Sequence, residues 1–280
     1  MPELPEVETV ARQLSPLVKD KTVSSLKVYD QKLKDVSRFG LKGAKVLDVY
    51  RAGKSLVIEF EKKSGKVCFV KVHLRMTGRL IWSEHGKSKS LAKYVNSVST
   101  NDKKHTRLDF KLDDGELSFV DTRRFGTVTL HADKSETSAV GVEPLTLEFN
   151  FSKLKELVAN TNQEVKVWLL RQDKIVGLGN IYASEILFDS GIHPSKRTKD
   201  LDDAELKLIV NSTKKILKRA IKNCGTTFSD FQDTTGSTGG YQKYLKVYGR
   251  AGQECKKCGT TIEKFVQAQR STFFCPVCQP

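Results

Sequence analysis

Two Cys-x-x-Cys pairs, Cys255-Lys-Lys-Cys258 and Cys275-Pro-Val-Cys278, sit within the last 26 residues of the chain with 16 residues between them. Each pair can grip one tetrahedral metal ion from a tight turn, and an intervening hairpin of that length returns the second pair to the first. The pattern predicts a closed four-thiolate site for one structural Zn2+ on Cys255, Cys258, Cys275 and Cys278. Two disulfides, or a redox pair of thiols, fit less well. The other two cysteines, Cys68 and Cys224, are isolated, and disulfide scaffolds do not usually cluster their cysteines at one end. A reducing, cytoplasmic setting is expected. Taken alone, such a finger marks a binding module rather than an enzyme.

The rest of the chain changes its period twice. Val7, Val10, Ala11, Leu14 and Val18 fall on one helical face over residues 5–18, with Pro5 in the first turn, where its missing N–H costs nothing. From Thr22 to about His131 the period moves towards two. Strands are expected in Ser24–Tyr29, Val46–Tyr50, Leu56–Phe60, Val67–Leu74, Arg107–Leu112 and Thr127–His131, with a hairpin turn at Asp113-Asp114-Gly115. Many short strands imply an antiparallel sandwich or barrel-like core. A polar stretch from 132 to 150 reads as a linker. Beyond it Leu206, Ile209, Val210, Thr213, Ile216, Leu217, Ala220 and Ile221 recur at three and four, an amphipathic helix with a basic outer face that ends near Gly225. Residues 232–243, rich in Gly, Ser and Thr, are expected to form a mobile loop.

Lys and Arg outnumber Asp and Glu by 48 to 33, a formal charge of +15. An excess of that size favours a polyanionic partner, since each phosphate neutralised releases condensed counterions. No apolar run approaches the roughly 18 residues needed to span a bilayer, and the opening residues do not resemble a secretory signal. Gly53-Lys54-Ser55 is not a nucleotide-binding loop, because Asp48 stands where that motif requires glycine.

Pro2 follows the initiator Met directly. Removal of Met1 would expose a secondary amine, and free α-amino groups titrate at about 7.7–8.0, so a reactive fraction exists near neutral pH. Such an amine can form a Schiff base with a sugar C1′. Glu3 and Glu6 alongside are open to two readings: acidic residues favoured at a helix start, or a general acid for opening the sugar ring together with a supporting carboxylate.

Residues 2–8, Pro-Glu-Leu-Pro-Glu-Val-Glu, resemble the opening of the formamidopyrimidine-DNA glycosylase (8-oxoguanine DNA glycosylase) family. The likeness continues in His73-Leu-Arg-Met-Thr-Gly78, Asp121-Thr-Arg-Arg-Phe-Gly126, Gly177-Leu-Gly-Asn-Ile-Tyr-Ala-Ser-Glu185, Gly191-Ile-His-Pro194, Tyr248-Gly-Arg250 and Gln269-Arg270. It implies a multidomain α+β chain. An antiparallel β-sandwich catalytic domain with a leading helix would occupy 1–135, a linker 136–150, a helical DNA-binding domain with a helix–two-turns–helix element 151–249, and a zinc finger 250–280. It also implies that Pro2 is the Schiff-base nucleophile, Glu3 the acid acting on the sugar, and Glu6 a residue supporting the site. Lys54 would serve β-elimination, and Arg270 would contact phosphate and assist δ-elimination. His73, His105, Arg123, Lys166, Asn180 and Tyr182 would contact DNA, and Met76, Arg123 and Phe125 would fill the hole left by an everted nucleotide.

Read from the residues alone, Lys54 is a surface lysine opening a strand, and Met76 and Phe125 are ordinary sheet core. The sequence departs from the family pattern at Arg75, where glycine is usual, at Thr122, where proline is common, and at 160–163, which lack the usual lysines. The implied partner is damaged double-stranded DNA, bound by a monomer. Endonuclease VIII shares the architecture but removes oxidised pyrimidines, and Leu4 stands where its opening usually has glycine. A catalytically silent DNA-binding module is the alternative from another class.

Overall fold

In a computed structural model describing residues 1–84, 100–226 and 239–280, helix α1 (Leu4–Val18) buries Leu4, Val7, Val10, Ala11, Leu14 and Val18. The chain divides into two units, Met1–Ser138 with Asn223–Gly240, and Ala139–Lys222 with Tyr241–Pro280.

The first unit contains two four-stranded antiparallel sheets. One has the order β2 (Lys45–Ala52), β3 (Ser55–Glu61), β4 (Val67–His73), β8 (Thr127–His131). The other runs β1 (Val23–Val28), β6 (Thr106–Leu112), β7 (Gly115–Asp121), β5 (Gly78–Glu84). A short helix α2 (Thr100–His105) leads into β6. Leu56, Ile58, Phe60, Val70 and Val72 from the first sheet share one apolar core with Leu80, Trp82, Leu108, Phe110 and Phe119 from the second. That is the expected sandwich, its alternating inward positions supplied by both layers. β5 and β7 carry the turn residues of the motif blocks at their ends, which hides them from a strand search. Asp113 and Asp114 make the two-residue link between β6 and β7, closed by the Leu112–Gly115 pair.

The second unit is helical: α3 (Phe151–Val158), α4 (Val165–Leu169), α5 (Asn180–Ser190) and α6 (Asp203–Lys222). α6 buries Leu206, Ile209, Val210, Thr213, Ile216, Leu217 and Ala220, the stripe read from the sequence apart from Ile221, which is half-buried. A hairpin of β9 (Glu263–Gln267) and β10 (Arg270–Phe274) follows. Its tip residues, Ala268 and Gln269, lie at φ +45° and +61°, the left-handed region that a tight hairpin turn demands and that Asn-Gly usually supplies.

The stretch from 132 to 150 holds more order than a polar linker. It contains a 3₁₀ turn at Lys134–Thr137, a bridge from Val142 to Ile175, and a fully buried Phe149. Of the loop expected at 232–243, residues 232–238 lie outside the described residues, while Tyr241–Tyr244 form a 3₁₀ turn with Tyr241 buried. Among the described residues no helix is long and apolar enough to cross a membrane.

Candidate active site and nucleic-acid interface

The N-terminal end of α1 is built around one carboxylate. Glu6, buried in the first turn, accepts the Glu3 amide at 2.8 Å and the Thr226 amide at 2.7 Å. It thereby satisfies an amide that the helix start leaves without an intrahelical acceptor, and ties that start to the Cys224–Thr226 turn. Gly225, at φ +74°, lies so close that a Cβ there would meet Glu6 Oε1 at 2.6 Å. Pro2 and Glu3 are buried, whereas Met1 is 41% exposed. Glu6 therefore joins the residue before the helix, Glu3, to the Cys224–Thr226 turn through two amide donors.

Lys54 stands on the two-residue turn between β2 and β3, closed by the Ala52–Ser55 pair. Gly53 precedes it at φ +59°, the conformation that glycine supplies at the first position of a tight hairpin. Arg51 donates to the Gly53 carbonyl at 3.0 Å and to Glu8 of α1 at 3.0 Å. The turn that carries this lysine is therefore braced through Arg51 to the helix that Pro2 and Glu3 precede. Sequence reasoning missed Glu8 and Arg51, because nothing local to either one signals the pairing.

His73 ends β4. Its Nδ1 accepts the Arg75 amide at 3.1 Å, which leaves a neutral ring's proton on Nε2. Burial, with Arg75, Lys54 and Lys71 nearby, lowers its pKa to about 4. The unfolded ring titrates near 6.5, so between those values the unfolded chain binds the extra proton and stability falls as pH drops. The loss is about 3 kcal/mol across that window. In His73→Gln, thermal melts between pH 6.5 and 4 should lose that part of their acid slope; an unchanged slope would refute the assignment.

Met76 and Phe125 are not sheet core. They are 38% and 51% exposed, on the turns after β4 and β7. Large apolar side chains held out at loop tips are informative where scattered exposed ones are not. The Arg123 guanidinium lies 4.8 Å from the Phe125 ring. Arg124 is clamped to buried Asp30 by two contacts of 2.6 and 2.7 Å, which help hold the Asp30 pKa down to about 2. His105, half-buried, closes α2 with its Nδ1 3.3 Å from Arg107.

In the second unit Asn180 is the first residue of α5, at the positive end of the helix dipole. Its Oδ1 accepts Lys166 Nζ at 2.7 Å, and its Nδ2 donates to the Ser271 carbonyl at 2.8 Å. Lys166 also donates to Thr272 Oγ1 at 2.7 Å and to the Ser271 carbonyl at 3.3 Å. This lysine is 1% exposed. The expectation that its side chain meets DNA therefore gives way to one in which it aligns Asn180 with β10. The Tyr182 ring is buried against Tyr241, with centroids 5.9 Å apart, so a contact from Tyr182 to phosphate would come from its backbone N–H in the first turn of α5. Glu185, also buried, accepts the amides of Lys246, Val247 and Tyr248 at 2.9–3.0 Å. It anchors the strand of chain that enters the finger, and its place in a motif block was the signal available for it. Arg270 begins β10 and is exposed.

The four cysteines converge. Their sulfurs all lie within 4.8 Å of one another, with Cys255–Cys278 at 4.0 Å and Cys258–Cys275 at 3.5 Å. Zinc–sulfur bonds of about 2.3 Å in a tetrahedron place sulfurs about 3.8 Å apart, so this donor set fits one Zn2+ with no open position.

Three family models match the chain in order. They are the formamidopyrimidine-DNA glycosylase N-terminal domain over residues 1–128, that family's H2TH domain over 140–232, and the zinc finger found in FPG and IleRS over 252–280. A formamidopyrimidine-DNA glycosylase of Shouchella clausii is 40% identical, covering 100% of this chain and 99% of its own. The Lactococcus lactis Fpg bound to DNA containing an abasic site superposes with a TM-score of 0.84 at 32% identity, over 99% of each chain. The same protein in complex with DNA containing an oxidised pyrimidine gives 0.84 at 33%, again over 99% of each.

Proposed function

Because this chain belongs to the formamidopyrimidine-DNA glycosylase family, we propose that it is a base-excision-repair DNA glycosylase and abasic-site lyase. Its substrates are oxidised purines, 8-oxoguanine and formamidopyrimidines, in double-stranded DNA. It acts as a monomer in the cytoplasm, on the nucleoid. The observation that carries this reading is the pairing of Pro2 and Glu3 at a helix start whose geometry Glu6 fixes.

With Met1 removed, the Pro2 nitrogen attacks C1′ of the damaged nucleoside, the electron pair of the C1′–base bond leaves with the base, and the proton shed by the amine ends on the departing base. Glu3 protonates the ring oxygen as the C1′–O4′ bond opens, leaving an iminium on Pro2. Loss of a C2′ proton, served by Lys54, breaks the C3′–O bond, and the phosphate departs with the electron pair. Loss of the C4′ proton then breaks the C5′–O bond, the 5′ phosphate departing with the electron pair and with Arg270 on it, and water releases the sugar fragment from Pro2. Met76, Arg123 and Phe125 occupy the vacated stack. The metal of the zinc finger would supply structure alone, holding the hairpin that carries Arg270.

Borohydride reduction during turnover tests this. Met1-free protein should yield a covalent adduct on an 8-oxoguanine duplex, and should trap oxidised purines faster than oxidised pyrimidines. Faster trapping on pyrimidines would move the specificity to the endonuclease VIII type, an arm made necessary by the Lactococcus complex with oxidised-pyrimidine DNA. If no lesion-bearing duplex is nicked and no imine is reducible, the enzyme assignment fails.

A further inference from the structure

Both turns that present the void-filling side chains are kinked in the same way. Arg75, at φ +54°, immediately precedes Met76, and Arg124, at φ +59°, immediately precedes Phe125. Neither is glycine, so each kink persists only because its surroundings hold it. In both cases the next side chain is apolar and stands exposed.

One buried carboxylate joins the two turns. Asp121, at the end of β7, is 1% exposed. It accepts the Thr77 hydroxyl from the first turn, and the Arg123 amide at 3.2 Å and the Gly126 amide at 2.7 Å from the second. Thr77 Oγ1 itself accepts the Arg123 amide at 3.1 Å, which closes the bracket. The packing admits little else: a Cβ on Gly126 would meet the Phe119 ring at 2.4 Å and Asp121 Oδ2 at 3.1 Å, and one on Gly78 would meet the Leu74 carbonyl oxygen at 2.4 Å.

We propose that Asp121 is a positioning residue for base eversion, whose carboxylate, with the Thr77 hydroxyl, locks the Met76 turn to the Arg123–Phe125 turn so that all three side chains enter the duplex as one unit. The proposal rests on the glycosylase reading above. A void filler is useful only if it arrives as the base leaves, and two independent loops would each have to be ordered at that moment. A shared buried carboxylate, accepting donors from both turns, orders them beforehand.

Asp121→Asn and Thr77→Val test it in the full-length, Met1-free protein; Thr77→Ser, which keeps the hydroxyl, is the rescue. An intact lesion must be unpaired and unstacked before it reacts, whereas an abasic site has no base to extrude. Single-turnover cleavage of an 8-oxoguanine duplex should slow about tenfold or more in the first two variants, with abasic-site cleavage and adduct trapping within about threefold of wild type. Fluorescence of 2-aminopurine beside the lesion should rise later in these variants, and Thr77→Ser should behave as wild type. Equal loss on both duplexes, or loss on neither, overturns the proposal: the first outcome makes Asp121 a folding residue, the second a dispensable one. Wild-type protein inert on both duplexes would remove the functional reading itself, and this inference with it.

Discussion

Protein that keeps Met1 should form no reducible adduct with a lesion duplex, while the same chain lacking Met1 should. The reason is electronic. With Met1 in place the Pro2 nitrogen is an amide whose lone pair is delocalised into the carbonyl; as a free secondary amine it is nucleophilic and yields an iminium that is charged without any further protonation. Pro2→Gly should still trap some DNA, since its primary amine can also condense, but much less. Glu3→Gln is the sharper variant. It keeps the shape and an acceptor oxygen at the helix start, so thermal stability should fall by no more than about 1 kcal/mol, while loss of a general acid costs about 10²–10⁴ in rate. Rapid-quench measurement of adduct formation, with a thermal melt on the same preparation, separates the two effects. A Glu3→Gln protein that traps DNA at the wild-type rate would remove Glu3 from the chemistry, and an active Met1-retaining protein would remove Pro2.

The sequence made the layers of this molecule legible where the signal was periodic or covalently constrained. Period two marked most of the sandwich strands, period three to four marked α6, and the cysteine spacing marked a hairpin whose tip, Ala268-Gln269, carries no hairpin signal of its own. Arg75 is instructive in another way. Its place at a usual glycine was visible, but the reason was not: the backbone there is left-handed, and a non-glycine residue accepts that at a cost of roughly 1 kcal/mol. What stayed hidden was partnership at long range. Glu6 meets an amide 220 positions away, and Asp121 accepts from a turn 44 positions back; neither leaves a local trace. Burial also reversed one inference. Lysine is almost never fully buried unless paired, so Lys166 read as a DNA contact until its acceptors were seen.

Those acceptors make zinc removal reach further than the finger. The β9–β10 hairpin has five residues per strand, and an isolated hairpin of that size is marginal in water. The core beneath it is small, with Val247, Cys255, Ile262 and Cys275 packed on Phe188 of α5. Zinc bound to four thiolates contributes about 10–16 kcal/mol to folding in comparable peptides, so chelation should release β10. With it go the Ser271 carbonyl and Thr272 hydroxyl, acceptors of buried Lys166, and Asn180 loses its hold on Ser271. A buried lysine that loses two of its acceptors and keeps Asn180 Oδ1 is destabilised where it stands, so α4 and the start of α5 should loosen as well. The two tryptophans report this separately, Trp82 in β5 and Trp168 in α4, both buried. Chelation should red-shift the emission of a Trp82→Phe protein, which reports Trp168, and leave that of Trp168→Phe unchanged. DNA affinity should fall, and its salt dependence should flatten by about 0.9 for each phosphate that is no longer neutralised. If Trp168 keeps its emission while the hairpin melts, Lys166 does not carry the coupling. If Trp82 shifts too, the sandwich does not stand independently of the metal.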